Sequence, residues 1–267
     1  MNHKLIPKIP ISHIFEVLGK TPAGESLKNT VRFNVYRDSE SIGLWKMALG
    51  PSAITYSHMI YMHALVNYLL HRELTSNPGL FTADEHRELL LAAACHDFGE
   101  AIINGEGIGD VSDPYKNEEL EEKEADMFQR VLFSLDLDSE LKKEMFNSYQ
   151  SVIRGGNKKM YDYFRGVEQM EYIMTGSNIF RQKENIKIKN GAILIGSVLA
   201  VSIKPTIEKA KKFLSIREIL SKNKKAITGM FKHSKEKYTK IRNPMLKKPG
   251  AAISPALKSW QQYRKSL

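Results

Sequence analysis

The stretch Leu89-Leu90-Leu91-Ala92-Ala93-Ala94-Cys95-His96-Asp97-Phe98-Gly99-Glu100 decides the reading of this chain. Seven apolar residues form a strongly apolar helical segment that runs into an imidazole, a carboxylate and, three residues later, a second carboxylate. Charged groups in such a place are costly to bury alone, and a metal cation is the economical compensation. Upstream, Thr82 and Glu85 make the Thr-x-x-Glu pattern of a capping box. The helix is therefore predicted to start there and to run through Glu100 to about Ile103.

Outward from this segment the pattern stays helical. Ile54, Met59, Ile60, Met62, Leu65, Val66, Leu69 and Leu70 recur at helical spacings, and the cluster Ser76-Asn77-Pro78-Gly79 ends that run. After the glycine-rich loop at 104–110, residues 116–134 read as a helix with an acidic exposed face, Glu118 to Glu124. A further helix is predicted from Asp138-Ser139 to before Gly155-Gly156, and another from Lys158 to Ile173, closed by Gly176. Strand-like alternation is almost absent, so the body is expected to be all-α. Residues 1–50 read as an irregular N-terminal segment with short elements among Pro7, Pro10, Pro22, Gly24 and Pro51. The division expected is 1–50, a helical domain at 51–204, and a basic C-terminal extension at 205–267.

Composition, with 42% hydrophobic and 26% charged residues, is that of a soluble globular protein. The N-terminus lacks the apolar core of a signal peptide. Ala192 to Ile203 falls short of the ~20 residues a membrane helix needs, so no membrane span and a cytoplasmic location are expected. The single cysteine, Cys95, excludes an intramolecular disulfide and reads as a small buried hydrophobe. The net charge of +10 divides unevenly: residues 201–267 hold 18 Lys and Arg against 3 acidic residues, which leaves a mildly acidic body.

Imidazole nitrogens and carboxylate oxygens are the usual ligands of Zn, Mn, Fe, Co and Ni. On a helix, adjacent His96 and Asp97 diverge by about 100° yet can flank one ion, and Glu100 lies on the same side. One helix does not complete such a site, and His58 is the candidate from the preceding helix.

A histidine near a helix start, an apolar helix ending in His-Asp-x-x-Glu and a carboxylate on a later helix resemble the HD-domain phosphohydrolase superfamily, most closely the bacterial HD-domain 5'-deoxynucleotidases. The resemblance covers roughly residues 44–175. It implies an HD-type helical bundle, with His58, His96 and Asp97 as metal ligands and Glu100 as the catalytic group. Gly109-Asp110-Val111-Ser112-Asp113-Pro114-Tyr115-Lys116 resembles the family's Gly-Asp stretch ending in Lys. Two departures stand out. Glu168 occupies the place of the fourth ligand, an Asp in the family, with Asp162 as a substitute donor. Leu44-Trp45-Lys46 stands where the family has Arg-Trp, so Lys46, Arg37 or Arg32 would supply the phosphate-binding charge.

The function implied is hydrolysis of a (deoxy)nucleoside 5'-monophosphate with a divalent ion (Mn, Co, Ni, Zn, Fe or Mg), with Asp110, Trp45 and Lys46 binding the substrate. The alternatives are a phosphodiesterase or nuclease acting on nucleic acid or a cyclic nucleotide, and a decayed HD-domain binding protein. The bland readings stay open: a buried ion pair for His96-Asp97, a core histidine for His58, an ion-paired helix residue for Glu168, a core anchor for Trp45 and a turn residue for Asp110. The tail fits a solvated appendage, a nucleic acid or other polyanion site with Phe231, Tyr238, Trp260 and Tyr263 as stacking residues, or an acidic surface such as a second subunit in a homodimer. From about Asn243, with Pro244, Pro249 and Pro255, disorder or an extended arm is expected, the extension as a whole being helical or disordered.

Overall fold

The computed structural model describes residues 9–33, 46–47, 49–111, 116–182, 191–238 and 249–267. Among these the protein is all-α, with eleven α-helices and only two isolated β-bridges, Val31 with Ile54 and Ile103 with Glu106. Two compact units form: residues 1–34 with 51–164, and residues 35–50 with 165–267.

In the first unit, the short elements predicted before residue 50 are helices α1 (Ile11–Gly19) and α2 (Pro22–Asn29). Pro22 lies at the start of α2, where its missing N–H is no loss, and the Thr21 hydroxyl accepts from the Gly24 N–H at 3.1 Å. The prolines thus punctuate helices rather than prevent them, and Ile14, Leu18 and Leu27 are core residues. Helix α3 (Thr55–Ser76) ends at the predicted breaker cluster. Helix α4 (Ala83–Cys95) begins with the predicted capping box: Glu85 N–H donates to Thr82 Oγ1 at 3.1 Å and Thr82 N–H to Glu85 Oε2 at 2.9 Å.

The predicted end of α4 is corrected. The α-helix stops at Cys95, and a short 3₁₀ turn occupies Phe98–Glu100. His96 Nδ1 lies 3.0 Å from the Ala93 carbonyl oxygen, so the side chain satisfies an acceptor that helix termination leaves without a ladder partner. Helix α5 (Glu118–Ser134) carries its acidic face outward and packs Phe128 on Phe98 and Tyr149. Helix α6 (Ser139–Ser148) is capped by Asp138 and continues into a π turn, Tyr149–Ile153. In the loop before α5, Gly107 has φ 125° and approaches the Ala101 carbonyl so closely that a Cβ would lie 2.2 Å from that oxygen.

Helix α7 (Lys158–Arg181) supplies its first residues to the first unit and those from Arg165 onward to the second. It does not close at Gly176: there a Cβ would meet Met230 Cε at 2.8 Å, so the glycine makes room for a neighbour inside a continuing helix. The second unit is completed by α8 (Gly191–Ala210), α9 (Leu214–Lys222), α10 (Lys224–Tyr238) and α11 (Pro249–Tyr263). Helix α8 is long and apolar enough to cross a membrane by length and composition, but it is two-thirds buried and packs against α9, α10 and α11 as the core helix of its unit.

The disorder or extended arm expected from about Asn243 is corrected for residues 249–263, which form a helix. Helix α11 docks through Ile253, Ala256 and Trp260, and the Trp260 indole N–H donates to Thr228 Oγ1 at 3.1 Å. Phe231 and Trp260 are buried and so unavailable for stacking on bases; the Tyr238 side chain lies outside the described residues. Apolar side chains at helical spacing outweighed the surrounding lysines.

Candidate metal centre

Two local features of the first unit bring the site together. His58 lies in the first turn of α3, and the turn after α4 replaces the 100° helical divergence of His96 and Asp97 with a tighter juxtaposition. His96 Nε2 is 3.2 Å from Asp97 Oδ2, and His58 Nε2 is 3.8 Å from the same oxygen. The imidazole rings meet edge to face with centroids 5.2 Å apart, and Phe164 packs on the far side of His96. All three residues are buried, and their potential ligand atoms lie within 4.8 Å of one another. Among the described residues this is the one such group of three or more histidine, cysteine and acidic side chains.

The donor set of two imidazoles and a carboxylate fits a divalent transition-metal ion. His96 has the orientation of a ligand. Its Nδ1–H donates to the Ala93 carbonyl, which leaves the Nε2 lone pair facing Asp97. Such a lone pair opposite a carboxylate oxygen calls for a proton or a cation between them. Burial pushes the Asp97 carboxyl up, but the charge and hydrogen bond of His96, with His58 and Arg32, outweigh it and hold it well below the usual carboxylate range. Burial, reinforced by Arg32, holds His58 well below its ordinary value.

Glu100 is buried beside this group, and Thr55 in the first turn of α3 donates its hydroxyl to Glu100 Oε2 at 3.0 Å. Burial, then the charges of Asp97 and Asp110, raise the Glu100 carboxyl well above the ordinary value. Lys116 forms a 2.7 Å ion pair with Glu124; burial disfavours its charge, but Glu124 and Glu100 overcome this and keep it protonated. Asp110 Oδ2 accepts from the Phe33 N–H at 2.6 Å, across 77 residues of chain, and Phe33 holds the uncommon φ of 58°. Of the three proposed sources of phosphate-binding charge, Arg32 is at the site: its Nη1 lies 2.8 Å from His58 Nδ1 and 3.3 Å from the Ser52 carbonyl oxygen. Arg37 and Trp45 lie outside the described residues, and Lys46 is exposed in the second unit.

Of the four predicted ligands, His58, His96 and Asp97 form the group. Glu168 belongs to the second unit, where it is buried and ion-paired with Arg165 one turn earlier. The substitute, Asp162, pairs with Lys158 at 2.8 Å. Cys95, adjacent to His96, is buried, and burial raises its thiol further from ionisation, so it packs and does not attack. Sequence reasoning missed Thr55 because a lone threonine at a helix start carries no chemical signal until the fold brings Glu100 to it.

Fold and site together define an all-helical protein with a buried His/His/Asp group able to hold a metal ion. No family model, curated protein or solved structure matches the chain.

Proposed function

We propose that this protein is a metal-dependent phosphohydrolase of the HD-domain type, removing phosphate from (deoxy)nucleoside 5'-monophosphates. The observation that carries the reading is the buried convergence of His58, His96 and Asp97, drawn from two separate helical segments. The order of these residues, with Glu100 and Gly109 to Lys116, supports the family resemblance.

A divalent ion held by His58, His96 and Asp97 would supply Lewis acidity, acidifying water and drawing charge from a phosphoryl oxygen. The chain's own groups do the rest. Burial and the charges of Asp97 and Asp110 raise the Glu100 carboxyl above its ordinary value, which suits it to deliver a proton to the departing sugar oxygen. The Thr55 hydroxyl holds one Glu100 oxygen and so orients the other. Arg32 and Lys116 balance the phosphate charge, and Asp110 accepts from a sugar hydroxyl. Burial excludes bulk water and strengthens each of these interactions.

Metal analysis followed by a phosphate-release screen with Mn, Co, Ni, Zn, Fe and Mg tests the reading. Release from monophosphates, abolished in Asp97→Ala together with bound metal, is the expected result. Turnover confined to oligonucleotides or cyclic nucleotides would replace the substrate class. A protein that takes up no metal and turns over neither class is a binding protein instead.

A further inference from the structure

The corner between α9 and α10 gathers cations from several helices of the second unit. Arg181, at the end of α7, donates from Nη2 to Asn223 Oδ1 at 2.9 Å, and Asn223 Nδ2 donates to the Ile219 carbonyl at 2.9 Å. Asn223 sits between Lys222, the last residue of α9, and Lys224 and Lys225, the first of α10. Its amide therefore ties Arg181 to a corner that already carries lysines. Burial pushes the Tyr263 phenol up and the charge of Arg217 opposes this, so the end of α11, followed by Arg264, lies near Arg217 of α9. These cations are exposed or half-buried, and among the described residues none of them pairs with an acidic side chain. Residues 219–235 and 249–267 contain no Asp or Glu, and Glu208 of α8 pairs with Lys211.

Lys224 and Lys225 stand at the positive end of the α10 macrodipole, where acidic residues are the stabilising choice and none is present in the first turn. Like charges held at the corner also repel one another, and a bound polyanion relieves both strains. The charge comes without an apolar face. Ile216, Leu220, Ile227, Met230 and Phe231 of α9 and α10 are buried, and Val201 on α8 is the exposed large apolar side chain among the described residues of α7 to α11. A helix that lies in a membrane surface inserts an apolar face, and this surface has none to insert. Phe231 and Trp260 are buried, so they offer unpaired bases no stacking platform. What the surface fits is a rigid, closely spaced row of phosphates, and duplex nucleic acid carries one charge per about 1.7 Å of axis.

We propose that the surface formed by Arg181, Arg217, Lys222, Lys224, Lys225 and Arg264 binds the phosphate backbone of a nucleic-acid duplex without reading its bases. The helical rise from Arg217 to Lys222, about 7.5 Å, matches about two phosphates of one strand at about 3.4 Å of axis each. Affinity then comes from released counterions rather than from base contacts, so it is modest, sequence-independent and steeply dependent on salt. The surface belongs wholly to the second unit, and the inference does not rest on the metal reading.

The test uses the full chain and does not depend on turnover. Binding of a labelled duplex DNA is followed by fluorescence anisotropy as salt is raised from about 50 to about 200 mM. With about five phosphates engaged, affinity is expected to fall by about two to three orders of magnitude over that range, whatever the duplex sequence. Lys224→Gln/Lys225→Gln and, on the neighbouring elements, Arg217→Gln/Arg264→Gln are each expected to weaken binding and to flatten the log–log salt slope by about 2. The first pair removes like charges from the positive end of a helix and so does not threaten the fold. Lys20→Gln/Lys143→Gln, which removes the same charge from the first unit, is expected to bind as wild type does. A duplex that does not bind at about 50 mM salt, a slope that either pair leaves unchanged, or a first-unit control that weakens binding as much overturns the inference. Tighter binding to phosphatidylserine vesicles than to the duplex at equal phosphate concentration also overturns it, by making the partner a membrane. Each of these results leaves the metal reading standing, because metal content is measured separately.

Discussion

Replacing Gly99 by alanine tests whether the site is held by backbone-to-backbone packing. Gly99 lies at the centre of the Phe98–Glu100 turn, pressed against α5. A Cβ there would lie 2.3 Å from the Glu124 carbonyl oxygen, 2.6 Å from Glu124 Cγ and 3.0 Å from the Glu124 carbonyl carbon. Ordinary van der Waals contact begins near 3.4 Å, so turn and helix must separate by roughly 1 Å. The nearest obstacle is helix backbone, which cannot rotate aside as a side chain would. Overpacking of this kind costs about 1–3 kcal/mol, and the lower unfolded-state entropy of alanine returns about 0.4–1 kcal/mol. The net loss of about 1–2 kcal/mol corresponds to a Tm lower by about 5 °C for a unit of this size. Glu100 and the Lys116–Glu124 pair move with the two elements, so metal affinity falls as well. Gly79→Ala is the control, because an added Cβ there meets nothing within 4 Å. Urea unfolding followed by helical circular dichroism measures the midpoints of both variants. If Gly99→Ala unfolds at the midpoint of Gly79→Ala, the close packing of turn on helix is refuted.

Stability is also expected to depend on pH through part-buried His63 and buried His86. Burial lowers His63 against the opposing Leu90 carbonyl, and burial with the nearby His71 lowers His86, so both bind protons more weakly when folded than at the ordinary 6.5 of the unfolded chain. Their contribution is complete above about 6.5 and is lost as the pH falls from there, since the unfolded state then binds the extra protons. His58 shifts the same way and keeps its share, while a His63→Gln/His86→Gln variant should lose part of the slope between about pH 7.5 and about pH 5.5; an unchanged slope would count against it. In the second unit, Trp260→Ala should destabilise by about 3–5 kcal/mol, the usual cost of deleting a buried aromatic. Protease susceptibility at residues 253–263 should rise with it, whereas a free tail would be cleaved in wild type already.

Much of the helical pattern was legible along the chain, because apolar periodicity and caps are local signals. The Thr82–Glu85 box and the Ser76–Gly79 breaker each act within a few residues, and each stands where the sequence puts it. His58, His96 and Asp97 were legible as residue types, because imidazole and carboxylate beside a buried helix need compensation. What local pattern missed was set by distant partners. At Gly176 in α7 the space a Cβ would take is filled by Met230, and Trp260 of α11 reaches Thr228. The meeting of Arg32 with His58, Thr55 with Glu100 and Phe33 with Asp110 spans 26, 45 and 77 residues respectively. Side-chain chemistry is written residue by residue, but which atoms come within hydrogen-bonding distance depends on how the buried helices pack, and only the tertiary structure decides that.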